Sequence, residues 1–155
     1  MAIIPGYKNK DGQYIPTPSN ILEDLKKIEK PDLKVTDYSL VVNDKIKIEI
    51  VKNDITKEKV DAITNASNRT LKHVGGVAKA ISNCGGPAIQ QESTAYVRKN
   101  GKIPTGGAGQ TSGGKMACKY VIHTVGPIYS QYTPATSEEL LRASILSTLT
   151  EARTL

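Results

Sequence analysis

Hydrophobic residues recur along the chain with two different spacings, one typical of strands and the other typical of helices. Isoleucine at every second position predicts a half-buried strand over residues 45–51, KIKIEIV. Shorter apolar runs predict strands at residues 60–64, VDAIT, and 119–125, KYVIHTV. The last run is almost continuously apolar, which indicates a central strand that is covered on both faces.

Apolar residues spaced three or four positions apart predict helices, which we expect over residues 16–31, 75–84, 87–101 and 135–155. The last helix is expected to start with a capping box from Thr136 to Glu139. Its buried stripe is predicted to consist of Leu141, Ile145, Leu149 and Ala152.

After the first helix, the predicted order is strand, strand, helix, helix, strand and helix, which indicates an α/β layered fold. We expect residues 1–40 to form an extended arm with a short helix, and residues 41–155 to form the α/β domain. Three or four strands make a thin sheet for so many helices. A second chain or a further segment is therefore expected to complete the sheet.

The composition limits the core and the cellular compartment. The chain contains seven tyrosines but no Phe and no Trp, so its core must be mainly aliphatic. Cys84 and Cys118 stand alone, without the C-x-x-C spacing, which favours reduced thiols and a cytoplasmic or nuclear location. We expect no membrane partner, because no apolar stretch is long enough to span a bilayer.

The net charge of +6 is distributed unevenly. Between Ala62 and Ser137, Glu92 is the only acidic residue, whereas the same stretch contains eight lysines and arginines. This excess is explained either by ordinary solvated side chains or by a surface that binds an anion such as a phosphate, a nucleotide or a nucleic acid. A nucleic acid is the less favoured partner, because the tyrosines show no clustering into a stacking platform.

Three further candidate sites are not favoured. GQTSGGKM, residues 109–116, follows the spacing of a phosphate-binding P-loop until Met116 replaces the Ser or Thr that would hold Mg²⁺, and a glycine-rich turn before KYVIHTV is favoured. His73, His123 and the two cysteines do not have zinc-site spacing, and His123 is expected to be a packed imidazole within its strand. Cys84 lacks a visible base that would make it a nucleophile. No cofactor is expected.

The segment NASNRTLKHVGGV, residues 65–77, is a stronger candidate. It follows a predicted strand and precedes a predicted helix, which is where open α/β sheets bind ligands. Gly75 and Gly76 allow close approach to the backbone, and free N–H groups at a helix start suit a diphosphate. Asn65 and Asn68 offer uncharged donors and acceptors for sugar hydroxyls. The alternative is an ordinary turn with Asn and Gly in left-handed positions.

Two segments, NDITKEKVDAITNASNRTLKHVGGVAKAISNCGGPAIQQE and SGGKMACKYVIHTVGP, resemble the macro domain family, over about residues 44–153. The pattern is similar to macro domains of poly-ADP-ribose-polymerase-type proteins and of coronaviruses. The resemblance implies a three-layer α/β/α fold with a mixed sheet and a cleft for ADP-ribose, either free or attached to protein. The family normally continues with further C-terminal strands and a second phosphate loop, which are missing from this sequence.

The resemblance also implies roles for individual residues. Asp54 is expected to accept a hydrogen bond from the adenine amino group, and Ile55 to line that pocket. Asn68 is expected to bind the distal ribose, and Asn65 to support the loop. The diphosphate and the distal ribose are expected to be wrapped by Gly75, Gly76 and Val77. Asn68 and, as a second candidate, His73 are the expected catalytic residues.

Three departures from the family pattern leave the activity open. Asn53 and Val74 stand where relatives often have glycine, and Ala78 stands where one hydrolase subgroup has Asp. The resemblance is therefore compatible with a hydrolase that removes mono-ADP-ribose from a modified protein. It is also compatible with a reader that binds ADP-ribose without turnover, which Val74 and Ala78 favour.

Overall fold

The computed structural model describes residues 46–155 and, before them, the strands β1 (Ala2–Ile3), β2 (Gly6–Lys8), β3 (Tyr14–Pro16) and β4 (Ser39–Val42). The helix predicted at 16–31 lies outside the described residues. The chain divides into an N-terminal unit, Ile4–Asp54, and an α/β unit, Met1–Ile3 with Ile55–Leu155. Whether residues 41–54 belong to the α/β domain stays a prediction.

The N-terminal unit contains two antiparallel strand pairs. β2 pairs with β3, and β4 pairs with β5, Ile46–Glu49. The strand predicted over 45–51 is therefore confirmed in position, but its half-buried character is wrong. Ile48 is 42% exposed and Ile50 is also exposed. Alternation of apolar and polar residues places the apolar side chains on one face of a strand. That face is buried only if another part of the protein packs on it, and the pattern within the strand does not show whether this happens.

The α/β unit is built on a four-stranded sheet with the order β1-β6-β8-β7. Its longer strands are β6 (Ala62–Ala66), β7 (Ala108–Ser112) and β8 (Tyr120–Thr124). β6 and β8 are parallel, and the other two pairs are antiparallel, so the sheet is mixed. KYVIHTV provides the central strand β8, as predicted.

The first helical layer consists of α1, Gly76–Gly85, and α2, Pro87–Asn100. These helices pack on one face of the sheet through a cluster of buried side chains: Ile63, Ile81, Ile89, Cys118 and Val121. The core is aliphatic, as the composition predicts.

α3, Pro134–Ala152, provides the other layer. Successive side chains of β8 point to opposite faces, so Val121 packs on α1 and α2 while Thr124 points to α3. The Thr124 hydroxyl donates to the carbonyl oxygen of Ser144 at 3.2 Å. The architecture is therefore the predicted three-layer α/β/α arrangement.

Two expectations about α3 are wrong. Its N-cap is Thr133, whose hydroxyl accepts from the Thr136 backbone N–H at 3.2 Å, so the predicted capping box does not form. The predicted stripe is wrong in its first half, since Leu141 is 52% and Ile145 is 48% exposed, whereas Leu149 and Ala152 are half-buried. The buried residues of the helix are instead small and polar: Ser137, Ser144 and Thr148. Small side chains let this helix lie close to the sheet, where Ala143 faces Gly106.

The segment predicted as a glycine-rich turn is partly a strand. Its first four residues, 109–112, belong to β7, and the turn begins only at Gly113. Gly109 is required in this strand because a Cβ there would lie 2.5 Å from the ring of Tyr96. The strand was missed because AGQTS has no hydrophobic alternation.

The two cysteines are both free thiols. Cys84 is exposed, near the end of α1, whereas Cys118 is buried in the core. None of the helices in the described part of the chain is long and apolar enough to cross a membrane.

Candidate ligand-binding loop

The segment that joins β6 to α1 leaves the sheet at the carboxyl end of β6. Its first part, residues 68–73, is called the loop stem here and is held mainly by Asn68. The Asn68 Oδ1 atom accepts from the backbone N–H groups of Thr70 and Lys72, both at 3.1 Å, and from the Thr70 hydroxyl at 2.9 Å. The Asn68 Nδ2 atom donates to the carbonyl oxygen of Lys72 at 2.6 Å. Asn68 thus organises the loop through its own amide.

Leu71 fixes the stem to the core. Its φ of 52° lies in the left-handed region, which costs an ordinary residue about 1–2 kcal/mol. Its side chain is fully buried in a second core cluster with Ile103 and Val125. Burying a leucine side chain contributes about 1.5–3 kcal/mol, which is enough to hold this backbone conformation.

α2 also contacts the stem, through a residue that the sequence analysis did not identify. The Gln90 Oε1 atom accepts from the His73 backbone N–H at 3.3 Å, and Gln90 Nε2 donates to the carbonyl oxygen of Leu71 at 3.1 Å. Such a contact joins residues 17 and 19 positions apart and leaves no local signal in the sequence.

The residues that follow the stem, Val74, Gly75 and Gly76, are exposed and are called the glycine tip here. Gly75 is extended, with a φ of −160°, and a Cβ added to it would meet no atom within 4 Å. Gly76 has a φ of 55°, which favours glycine. α1 begins without a side-chain cap, and its first backbone bond runs from Lys79 N to Gly75 O. The N–H groups before Lys79 therefore have no partner within the helix.

A buried polar network lies below the loop. Asn65 is paired with His123 in the parallel register of β6 and β8, and its Nδ2 atom lies 3.0 Å from His123 Nδ1 and 3.4 Å from His73 Nδ1. The same atom donates to Ser67 Oγ at 2.9 Å. Asn65 is thus placed to support the loop, and the ligand role expected for it stays a prediction.

The two histidines of this network are stacked, with ring centroids 5.0 Å apart. His73 Nε2 lies 2.9 Å from Ser93 Oγ, and His123 Nε2 lies 2.9 Å from Thr111 Oγ1. Burial and, secondly, the neighbouring His73 lower the pKa of His123 to about 3. Burial also lowers the pKa of His73. Both rings are therefore neutral at pH 7, and His123 is the packed imidazole that the sequence predicts.

Glu92, the only acidic residue between Ala62 and Ser137, is hydrogen-bonded to Ser112. Glu92 accepts from Ser112 at both carboxylate oxygens, from the backbone N–H at 2.7 Å and from the hydroxyl at 2.6 Å. Because residues 62–137 contain no other carboxylate but eight lysines and arginines, this part of the chain carries a net positive charge that favours an anion at the glycine tip.

The remaining predicted site residues are distributed as follows. Val77 is exposed in the first turn of α1, next to the glycine tip. Ile55 is partly buried and packs against the core cluster below α1 and α2. Asp54 is an exposed residue at the end of the N-terminal unit, so its expected place beside adenine stays a prediction. Among the described residues, no group of three His, Cys, Asp or Glu side chains could hold a metal ion.

Comparison with known proteins gives matches to a protein family and to individual relatives. The family model of the Macro domain matches residues 64–155. An uncharacterized protein of Thermotoga maritima is 51% identical over 109 residues, which are 70% of this chain and 18% of that protein. The mouse protein mono-ADP-ribosyltransferase PARP9 is 38% identical over 67% of this chain and 12% of its own length.

Solved structures give the same result. The Oceanobacillus iheyensis macrodomain with ADP is similar with a TM-score of 0.68 and 38% identity, over 76% of this chain and 63% of that one. A mutant of the same macrodomain has been solved with ADPR. The chain spans about half the length of several curated relatives, for example 54% of a Sulfurisphaera tokodaii protein. Since the family model covers more than half of the sequence, this chain belongs to the macro domain family.

Proposed function

We propose that the chain binds ADP-ribose, either free or attached to a protein, with the diphosphate at the glycine tip. The observation that carries the proposal is the exposed Gly75–Gly76 corner at the uncapped start of α1. Free N–H groups and the positive end of the helix dipole stabilise an anion there. The proposal is further supported by the ADP and ADPR in the structures of the Oceanobacillus iheyensis relative.

The rest of the ligand is assigned by the chemistry of neighbouring groups. Asn68 supplies a donor to the distal ribose, and Val77 contacts the ligand from the first turn of α1. Asp54 and Ile55 are proposed to bind adenine, by accepting from its amino group and by apolar contact.

Removal of mono-ADP-ribose from a modified protein is the second candidate function. In that reaction, water attacks the anomeric carbon of the distal ribose, the bond from this carbon to the protein side chain breaks, and the side chain leaves with the proton that the water gives up, while Asn68 orients the sugar. The exposed position of Asn68 at the loop favours this candidate. Binding without turnover is preferred, because Ala78 places no carboxylate at the start of α1 and both ring nitrogens of His73 contact other side chains. Incubation with a mono-ADP-ribosylated protein, followed by measurement of released ADP-ribose, separates the two.

The binding proposal is tested by Gly75→Val. The introduced valine side chain would lie in open space, and the extended backbone at Gly75 accepts any residue. The fold should therefore be unchanged. The new side chain would occupy the place of the diphosphate. We expect calorimetry to show an affinity for ADP-ribose at least about tenfold below that of the wild type, which corresponds to about 1.4 kcal/mol.

Ala95→Val is the matched control, because it adds side-chain bulk at an exposed position of α2 and should bind as the wild type does. Equal affinities of the wild type and Gly75→Val would contradict diphosphate binding at the glycine tip. No binding of ADP-ribose by the wild type would contradict the proposed function as a whole.

A further inference from the structure

We infer that Gln90 is a positioning residue that fixes the glycine tip in the orientation the ligand requires. The inference rests on the proposed function, since the ligand is the diphosphate of ADP-ribose. Gln90 itself is placed on α2, behind the loop, and acts through the backbone of the loop stem.

The side chain of Gln90 is held at both ends of its amide. Oε1 accepts from His73 N at 3.3 Å, and Nε2 donates to Leu71 O at 3.1 Å and to Thr94 Oγ1 at 3.3 Å. Thr94 in turn donates its hydroxyl hydrogen to the backbone oxygen of Gln90 at 2.8 Å. The amide therefore has little rotational freedom and transmits the position of α2 to the loop.

Gln90 holds the part of the stem that Asn68 does not reach. The hydrogen bonds of the Asn68 side chain end at Lys72, whereas those of Gln90 reach the carbonyl oxygen of Leu71 and the N–H of His73. His73 is the last residue before the glycine tip. Its backbone orientation sets the direction in which Val74, Gly75 and the start of α1 leave the stem.

The side chain belongs to neither core cluster. The apolar contacts of α2 are made by Ile89 on one side and by Tyr96 and Val97 on the other. The ring of His73 has its own contact with Ser93, which does not involve Gln90. Truncation of Gln90 should therefore release the loop stem without opening a cavity in the core.

The test compares Gln90→Ala with Gln91→Ala, which removes an exposed side chain of the same type from the next position of the helix. Three quantities are measured: hydrogen exchange of the His73 amide without ligand, affinity for ADP-ribose, and the urea midpoint of unfolding. For Gln90→Ala we expect exchange at least about tenfold faster and affinity about tenfold weaker, with a nearly unchanged midpoint. Gln91→Ala should match the wild type in all three. Gln90→Glu, which keeps the acceptor for His73 N but loses the donor to Leu71 O, should restore part of the protection.

Each outcome has a definite meaning. Unchanged exchange at His73 in Gln90→Ala would overturn the inference whether or not the chain binds ADP-ribose. Faster exchange with unchanged affinity would also overturn it, because the ligand would then not depend on the orientation of the stem. A wild type that fails to bind, combined with faster exchange in Gln90→Ala, would overturn the proposed function and the ligand part of the inference. It would still confirm that Gln90 holds the loop stem in place.

Discussion

Asn68 uses the two ends of its amide very differently. Oδ1 accepts three hydrogen bonds from Thr70 and Lys72, so it has no remaining capacity for a ligand. Nδ2 donates one of its two hydrogens to Lys72 O, which leaves one hydrogen for a ribose oxygen. An alanine substitution would therefore remove loop structure and ligand contact together, and would not measure either alone.

Asn68→Asp separates the two effects. The aspartate keeps an acceptor for the N–H groups of Thr70 and Lys72, but it has no hydrogen to donate, either to a sugar or to the carbonyl oxygen of Lys72. We expect the Lys72 amide to stay protected from exchange while the affinity for ADP-ribose falls roughly 10- to 100-fold, since a charged acceptor also repels the diphosphate.

Asn68→Ala is the reference for this experiment and should lose both the protection of Lys72 and the affinity. If Asn68→Asp bound ADP-ribose as tightly as the wild type, the assignment of Nδ2 to the ribose would be wrong.

At the scale of elements, α3 shows that spacing of apolar residues is not sufficient to identify a buried face. Ser144 is 3% exposed, and its single hydroxyl hydrogen is shared between Val125 O at 3.1 Å and Leu140 O at 2.8 Å. Leu141 and Ile145 lie on the exposed side of the same helix. Whether a further segment or a second chain covers these two residues stays a prediction.

The relative cost of substitutions in α3 should follow burial in the structure. Leu141→Gln and Ile145→Gln should each change the free energy of unfolding by no more than about 0.5 kcal/mol. Ser144→Leu should destabilise by roughly 1–3 kcal/mol, because a large side chain does not fit between helix and sheet. Urea unfolding of the three variants measures these changes in the free energy of unfolding. The reverse ranking would mean that the apolar stripe predicted from the sequence is the buried face of the helix.

The elements that the sequence predicts correctly are those with a strong apolar pattern. KYVIHTV and the helices α1 and α2 fall into this group, because their apolar residues form the core that holds them. β7 has no such pattern, and its place depends on the packing of Tyr96 against Gly109. The capping box failed because Pro134 and Thr133 already begin α3 one turn earlier.

For the site, local sequence is informative only where neighbours in the chain are also neighbours in space. The glycine corner and the two asparagines are within one segment, so the sequence alone predicts them as one candidate site. The approach of His123 to Asn65 depends on the register of β6 and β8. The hydrogen bonds from Gln90 to the loop stem depend on how α2 packs against the sheet. Neither arrangement can be predicted from residue spacing.

At the scale of the whole molecule, the histidine pair couples folding to pH. The pKa of His123 is about 3 in the folded state, below the ordinary value of 6.5. Between these two values the unfolded chain binds a proton that the folded chain does not. Stability is therefore lost as the pH falls from 6.5 towards 3, by roughly 1 kcal/mol per pH unit from His123 alone. His73 contributes in the same direction, because burial lowers its pKa too.

Urea unfolding of the wild type and His123→Gln between pH 6.5 and 4.5 measures this coupling. The variant should be less stable at pH 6.5, since it changes contacts with Asn65 and Thr111. Its stability should, however, decrease less steeply than that of the wild type as the pH is lowered. Carboxylates contribute equally to both proteins, so the difference in slope isolates the histidine. Parallel pH profiles would mean that His123 is protonated in the folded state.

The unequal exposure of the two cysteines has a practical consequence for all of these measurements. A thiol reagent should label the native chain at Cys84 alone, because Cys118 is buried and burial raises the pKa of its thiol. Cys118 becomes reactive only when its surroundings open, so the rate of its modification by brief reagent pulses counts opening events. Mass spectrometry of the doubly labelled chain then times the opening of the core beneath α1 and α2, while a dye on Cys84 follows the helix that begins at the glycine tip.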